Sequence, residues 1–509
     1  MHGRRAFLAQ GTLGALGLAI AGGRARGQDD AVPAATAVAD PARGASGGEV
    51  RLAVIGLRSR GWEHVQAFAR VPGCRVVAFC DVDAGILAAR AAECAKGAEK
   101  RPPFEVATFG DVRALLARDD IDAVSIATPN HTHAMLACWA LAAGKHAYVE
   151  KPVSHVVDEG ARIVEAARAS GKVCATGTQA RSSSAVRAAI RFIHEGGLGK
   201  VHCSRGLCYK PRRPIGRVGG PQFAPSSVDY DRWLGPVAYR ALRRANLHYD
   251  WHWDLHTGNG DLGNQGIHQM DIARWALGWD RLPDAVRSIG GRFGAPDDGD
   301  SPNTQVVSFD CGGTPLVFEV RGLPRDRAQQ ADKWEMDRYE GMEIGNIVHG
   351  EKGTVRISNS YTAAAYFDTD GALVEEWKGG GDHFANFIEA VRAGDPARLS
   401  AGIAEGHLSS AFCHYGILSH RAGRALRPAN PAAVARMGDE ACAGDAALLE
   451  AWGRMRAHLE ANGAMGAEGL GAGDLVVGRP LRIAADGRVE GDAEATALLS
   501  RACREPFVF

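Results

Sequence analysis

From Val50 onward the chain alternates short apolar runs with longer helical stretches, and this rhythm constrains the fold more than any other feature. The runs Val50 to Gly56, Cys74 to Asp81, Ala123 to Ala127, Ala147 to Glu150 and Val173 to Gly177 are rich in Val, Ile and Ala and do not alternate with polar residues. Strands read that way when both faces are covered, as in a parallel sheet between two layers of helices. Between the runs, Trp62 to Val71, Ala84 to Gly97, His133 to Gly144 and Val156 to Gly171 read as helices, several ending in a capping glycine. Parallel strands joined by helices cross over right-handedly, so the sequence predicts an α/β chain with an N-terminal Rossmann domain, a doubly wound parallel sheet, over residues 49–180.

Beyond Arg181 the rhythm changes. A helix over Ala185 to Gly196, a strand over His202 to Tyr209 and an irregular segment from Pro211 to Val228 precede a helix at His268 to Leu277. Runs at Ala285 to Gly290, Thr304 to Asp310, Leu316 to Arg321, Met342 to Val348 and Gly353 to Ile357 then predict a large open, mostly antiparallel sheet. Helices at His383 to Arg392 and Ala404 to Ala422 complete a C-terminal α+β domain over residues 181–424, the substrate-binding part of the chain. Residues 425–509, rich in Ala and Gly with one late strand-like piece, form a C-terminal extension. A length of 509 residues fits two domains with appendages.

Ahead of the first strand, Arg4-Arg5-Ala6-Phe7-Leu8 leads into a weakly apolar run from Ala9 to Gly22, closed by Arg24 and Arg26. This resembles a twin-arginine (Tat) signal over residues 1–27, with a flexible linker over 28–48, and implies a periplasmic or otherwise extracytoplasmic protein. The run falls short of the ~20 apolar residues that span a bilayer, so no membrane anchor is expected. Lys+Arg and Asp+Glu both number 59, which argues against a nucleic-acid partner, since phosphate binding rests on a basic excess. The eleven cysteines are scattered singly and are expected to be mostly buried thiols.

The first strand meets the turn Gly56-Leu57-Arg58-Ser59-Arg60-Gly61, which opens a helix. Small residues here let backbone approach a pyrophosphate at the helix N-terminus, although Arg58 takes the place of the middle glycine of G-x-G-x-x-G. Asp81 ends the second run, where an acid bonds the adenosine ribose and repels a 2′-phosphate, which favours NAD over NADP. A tight turn with an incidental acid is the alternative reading of these residues alone.

Ala127-Thr128-Pro129-Asn130-His131-Thr132-His133, Ala143-Gly144-Lys145-His146 and Glu150-Lys151-Pro152 follow, then Gly177-Thr178-Gln179-Ala180-Arg181 and the stretch from Gly260 to Asp271. Through these motifs the chain resembles the Gfo/Idh/MocA family (glucose-fructose oxidoreductase, inositol dehydrogenase and relatives) from about Val50 to Arg424. The resemblance implies NAD as cofactor, with Thr128, Pro129, Asn130, His133, Glu150, Lys151 and Gln179 joining Gly56, Arg58, Ser59, Arg60, Gly61 and Asp81 around it. It implies Lys151 and His268 as the catalytic acid/base pair and Arg181, Tyr209 and Asn264 beside the substrate. Asn264 stands where many relatives carry Asp; an amide can orient His268 but cannot act as a base.

Leu247 to Thr257 interleaves aromatics with His and Asp, as sugar pockets do, which adds Asp250 and His252 to the substrate residues. Lys210, Arg212 and Arg213 read as solvated loop charges, with the holding of a carboxylate or further sugar hydroxyls as the alternative, and His131 with His133 lacks a third ligand, so no metal is expected. The implied activity is hydride transfer between NAD and a hydroxyl-bearing carbon of a sugar, polyol or glycoside. One alternative is a redox-neutral glycoside-cleaving enzyme with retained NAD; another is a non-catalytic carbohydrate-binding protein. A dimer or tetramer is expected, paired through the open sheet.

Overall fold

The computed structural model describes residues 48–97, 102–331, 333–426, 431–466, 469–470 and 473–509. The expected signal over 1–27 and the expected linker over 28–48, Gly48 apart, lie outside these residues. Among the described residues no helix is long and apolar enough to cross a membrane.

The first unit runs β1 (Val50–Ile55), α1 (Ser59–Phe68), β2 (Cys74–Cys80), α2 (Ala84–Lys96), β3 (Ala107–Phe109), α3 (Val112–Leu116), β4 (Ala123–Ile126), α4 (Asn130–Ala142), β5 (His146–Val149), α5 (Val157–Ser170) and β6 (Cys174–Thr176). The six strands are parallel in the order β3-β2-β1-β4-β5-β6. β4 and β5 are buried throughout, which explains their unbroken apolar sequence. Strand order reverses between β1 and β4, and a crevice opens there at the carboxyl ends of the strands, where α/β sheets bind ligands.

The chain then continues through α6 (Ser184–His194), β7 (Val201–Tyr209), the short helices α7 (Tyr230–Leu234), α8 (Leu247–Asp250) and α9 (Gly260–Gly263), and α10 (Gly266–Ala276). Strands β8 (Ala285–Gly291), β9 (Thr304–Asp310), β10 (Leu316–Arg321), β11 (Ile344–Gly350), β12 (Gly353–Ser358), β13 (Ala363–Phe367) and β14 (Leu373–Lys378) precede α11 (His383–Ala393) and α12 (Ile403–Arg421). The extension supplies β15 (Arg424–Leu426), α13 (Pro431–Ala441), α14 (Ala446–Ala461), β16 (Met465–Gly466), β17 (Gly469–Leu470), β18 (Leu475–Val477), β19 (Leu481–Arg482) and α15 (Ala493–Ala497). The second sheet runs β14-β13-β12-β11-β7-β10-β9-β8-β18-β15, with β19 also on β8; it is antiparallel except for the β7–β10 pair.

The extension is therefore part of this domain's architecture. Leu448, Ala451, Trp452, Met455 and Leu459 recur every three or four residues along α14 and pack on Ile289, Val306 and Val317 of the sheet. Beneath the helix, fully buried Glu319 accepts the Tyr209 hydroxyl and pairs with Arg205, Arg321 and Arg454. A buried carboxylate needs such compensation, since desolvation alone would drive it to protonate. The sheet is thus not open over β8–β10: the face expected to meet a second copy is covered there by the chain itself.

Candidate functional site

The crevice at the switch point is a cavity of about 590 Å3, large enough for a sizeable ligand. Its rim begins with the turn after β1. Gly56 has φ +84°, and a Cβ there would lie 2.7 Å from the Ala127 carbonyl oxygen. A Cβ on Gly61 would collide with the Gly56 carbonyl oxygen, so glycine at both positions lets the turn fold under α1. Arg58 is extended (φ −77°, ψ −175°), a conformation open to any residue. The missing middle glycine therefore costs the backbone nothing, and the side chain reaches to 3.8 Å from Asp83.

Asp81 anchors this cradle by accepting the Leu57 N–H at 2.8 Å and the Asp83 N–H at 2.9 Å. Burial raises its pKa, while those two N–H bonds pull it back. A carboxylate holds further lone pairs for a diol. Thr128, Pro129, Asn130 and His133 line the opposite wall, where β4 runs into α4. His133 sits between the carbonyls of Pro152 and Thr128, each at 2.7 Å. His131 points away, bonded to the carbonyls of Thr257 and Trp233.

At the other end, Glu150 is buried under the crevice floor. Its Oε1 accepts from Arg60 Nε at 2.7 Å and meets His64 Nε2 at 3.0 Å, while Oε2 accepts the Lys151 N–H. Burial pushes this carboxyl up, but Arg60 and His64 overcome it and hold it well below the usual range. Gly177 is needed beside it, as a Cβ would lie 2.8 Å from Oε1.

Lys151 Nζ donates to the Asn264 backbone carbonyl at 2.8 Å, and His268, Asn264 and Gln265 line the same end. Burial brings the Lys151 ammonium down to about 8; Arg60, Lys210 and Arg212 push the same way and Glu150 opposes them. Burial, then the Lys151 charge, lowers the His268 pKa well below its ordinary value, and His268 Nδ1 has no partner among the described residues. Gln179 lines the cavity with its Oε1 likewise unpartnered among them. Orphaned buried acceptors at one end and a glycine cradle on a helix N-terminus at the other fit a dinucleotide laid across the strand ends.

Three expected substrate residues do not reach the cavity. Arg181 is buried against Asp271 at 2.9 Å and Glu405 at 2.9 Å, stacked on Trp275, so it braces α10 and α12. Tyr209 falls on the β7 face turned toward α14. Asp250 is buried and accepts the Asn246 N–H, closing its own short helix. His252 does line the cavity, stacked on Trp251 with centroids 3.7 Å apart.

Lys210 and Arg212, read from sequence as solvated charges, also line the cavity, held by Gln265 and by a two-pronged pair with Asp261. Arg213 lies over the Trp334 ring instead. Sequence reasoning missed the far wall, made by Gly110 to Arg113, Met135, Leu136, Trp139, Arg232, Trp233, His248 and Phe507. Only the Asp111 cap before α3 carried a local signal. Among the described residues no cluster of His, Cys, Asp and Glu could hold a metal ion.

Comparison with known proteins gives the same fold and cofactor class. Residues 50–178 match an oxidoreductase family with an NAD-binding Rossmann fold, and residues 215–289 match the C-terminal alpha/beta domain of an oxidoreductase family. A glycosyl hydrolase family 109 protein of Shewanella sp. (strain W3-18-1) is 39% identical over 127 residues, 25% of this chain and 27% of that protein. An alpha-N-acetylgalactosaminidase of Shewanella oneidensis is 38% identical over 127 residues, with the same shares. The chain thus spans about a quarter of the length of these curated relatives.

Among solved structures, the WlbA dehydrogenase of Bordetella pertussis in complex with NADH and UDP-GlcNAcA is similar in fold, at a TM-score of 0.52 and 20% identity over 74% of this chain and 96% of that one. A levoglucosan dehydrogenase in complex with NADH and levoglucosan gives 0.53 and 18%, over 72% and 96%.

Proposed function

From the premise that the chain belongs to the Gfo/Idh/MocA oxidoreductases and takes NAD as its cofactor, we propose that it acts on a hydroxyl-bearing carbon of a sugar, polyol or glycoside. The observation that carries this reading is the convergence of Lys151 and His268 at the end of the crevice floored by Glu150 and Arg60. When bound there, the nicotinamide supplies the hydride acceptor and donor. Lys151 Nζ, tethered to the Asn264 carbonyl, takes the hydroxyl proton; His268, uncharged at neutral pH, accepts a hydrogen bond from the substrate and orients it. Lys210, Arg212, Tyr249 and His252 bind the remaining hydroxyls.

Proton removal requires the neutral amine. The rate of substrate oxidation at low substrate should therefore rise about tenfold per pH unit below about 8 and level off above it. A profile flat between pH 6 and 9 would remove Lys151 from the role of base.

The alignment with glycosyl hydrolase family 109 proteins favours a second reading of the same site: oxidation of a glycoside at one carbon, loss of the neighbouring proton, expulsion of the aglycone, addition of water, and reduction. That sequence regenerates NAD, which suits an exported protein without access to cofactor recycling, and export through the residue 1–27 signal belongs to this proposal. Denaturing protein purified without added cofactor and identifying the released nucleotide by mass spectrometry tests it. Near-stoichiometric NAD supports the retained-cofactor reading; an empty site that binds added NAD points to an ordinary dehydrogenase, and one that binds none to a non-catalytic carbohydrate-binding protein.

Self-association as a dimer or tetramer is also proposed, through the β14 end of the second sheet, where Leu373 and Val374 are exposed. Sedimentation velocity checks it, and a monomer at micromolar concentration refutes it.

A further inference from the structure

After α15 the chain leaves the second sheet and returns to the Rossmann unit, where residues 501–509 are tied down at every turn. Arg501 donates to the His131 carbonyl at 2.5 Å and pairs with Glu159 at 2.5 Å. Arg504 donates to the Val237 carbonyl at 2.9 Å and pairs with Asp231 at 2.7 Å. Trp139 of α4 donates its indole N–H to the Val508 carbonyl, and Arg162 of α5 donates to that of Phe509, each at 3.0 Å. The segment thus joins α4 and α5 on one side to α7 and the loop after it on the other. Between these anchors Phe507, 5% exposed, packs with Met135 and Leu136 and turns part of its surface into the crevice.

The strand order fixes which part of a dinucleotide lies there. Lys151 follows β5, and the cradle after β1 and Asp81 after β2 place the pyrophosphate and the adenosine ribose progressively further from it. Gly110 to Arg113 follow β3, the edge strand beyond β2, so their part of the cavity lies past the ribose, at the adenine; Leu115 and Leu116 just after them share a buried cluster with Met135, Leu136 and Phe507, which brings Phe507 to that end.

We propose that residues 501–509 are part of the cofactor site, with Phe507 packing on the adenine ring and the anchored segment slowing release of the dinucleotide. This rests on the reading of the crevice as an NAD site and supplies a physical cause for retention. An aromatic ring needs no donor or acceptor match to hold a purine, so one side chain supplies both apolar area and stacking.

The test is Phe507→Ala in the full-length protein, with Arg504→Ala as a second variant that loosens the segment but keeps the ring. NADH release is followed by fluorescence on displacement with excess NAD, and affinities for ADP-ribose and reduced nicotinamide mononucleotide are measured by calorimetry. Both variants should release NADH about tenfold faster, and Phe507→Ala should weaken ADP-ribose by a similar factor while leaving the mononucleotide unchanged. Unchanged NADH release in both variants, or equal weakening of ADP-ribose and the mononucleotide by Phe507→Ala, overturns the assignment. Wild-type protein that binds NADH while the variants behave like it sinks the strap alone; wild-type protein that binds none sinks the NAD site with it.

Discussion

Lys151→Met is expected to lower turnover about a thousandfold while leaving NADH affinity within a few-fold of wild type, because a positioned acid or base contributes roughly 10²- to 10⁴-fold. Methionine keeps an unbranched apolar stem one atom shorter than lysine, so it fills most of the same space under the crevice. What it removes is the amine that burial holds near neutrality, together with its bond to the Asn264 carbonyl. Steady-state rates beside an NADH titration separate the two effects. A loss below about tenfold would mean that another group takes the proton, and His268 would be the next to replace. Equal losses in turnover and NADH affinity would instead make Lys151 a binding residue.

Trp452→Ala should destabilise the folded protein by about 3–5 kcal/mol, the usual loss for a large aromatic removed from a core. Trp452 is fully buried at the centre of the α14 contact, its indole N–H bonded to Asp439 at 3.0 Å and its ring against Gly438. Glu319 with its arginines lies under the same helix. The shift of the urea midpoint measures the cost. A change under about 1 kcal/mol would show that α14 is an appendage whose loss the sheet tolerates.

Much of the first unit was legible because β4 and β5 are buried throughout and give unbroken apolar runs, and because helices such as α2 and α5 end at a glycine, patterns that local sequence records directly. β3 escaped because two half-buried residues around an exposed Thr108 leave no run to detect. In the site, the glycines, Asp81, Glu150 and Lys151 were legible because each serves a backbone or charge requirement tied to a motif. Arg181 and Tyr209 were misplaced for a different reason. Which way a strand or helix residue faces is set by its tertiary partner, and Asp271 and Glu319 are partners that no local pattern announces. Phe507 was invisible because an isolated aromatic in an Ala-rich tail carries no period; only the chain's return to α4 gives it a role.

α14 comes after β8, β9 and β10, which it covers, and the 501–509 segment comes after the Rossmann helices it joins, and this sets a timetable for synthesis. While the ribosome translates from Val317 to Leu459, at roughly 5–20 residues per second, the sheet face of Ile289, Val306 and Val317 stays uncovered for on the order of ten seconds. The nascent protein is most exposed to misassociation in that interval. A dinucleotide that settles into the finished Rossmann half during the same interval is free to leave until residues 501–509 dock, so durable loading waits on a segment made long after the strands that cradle the cofactor.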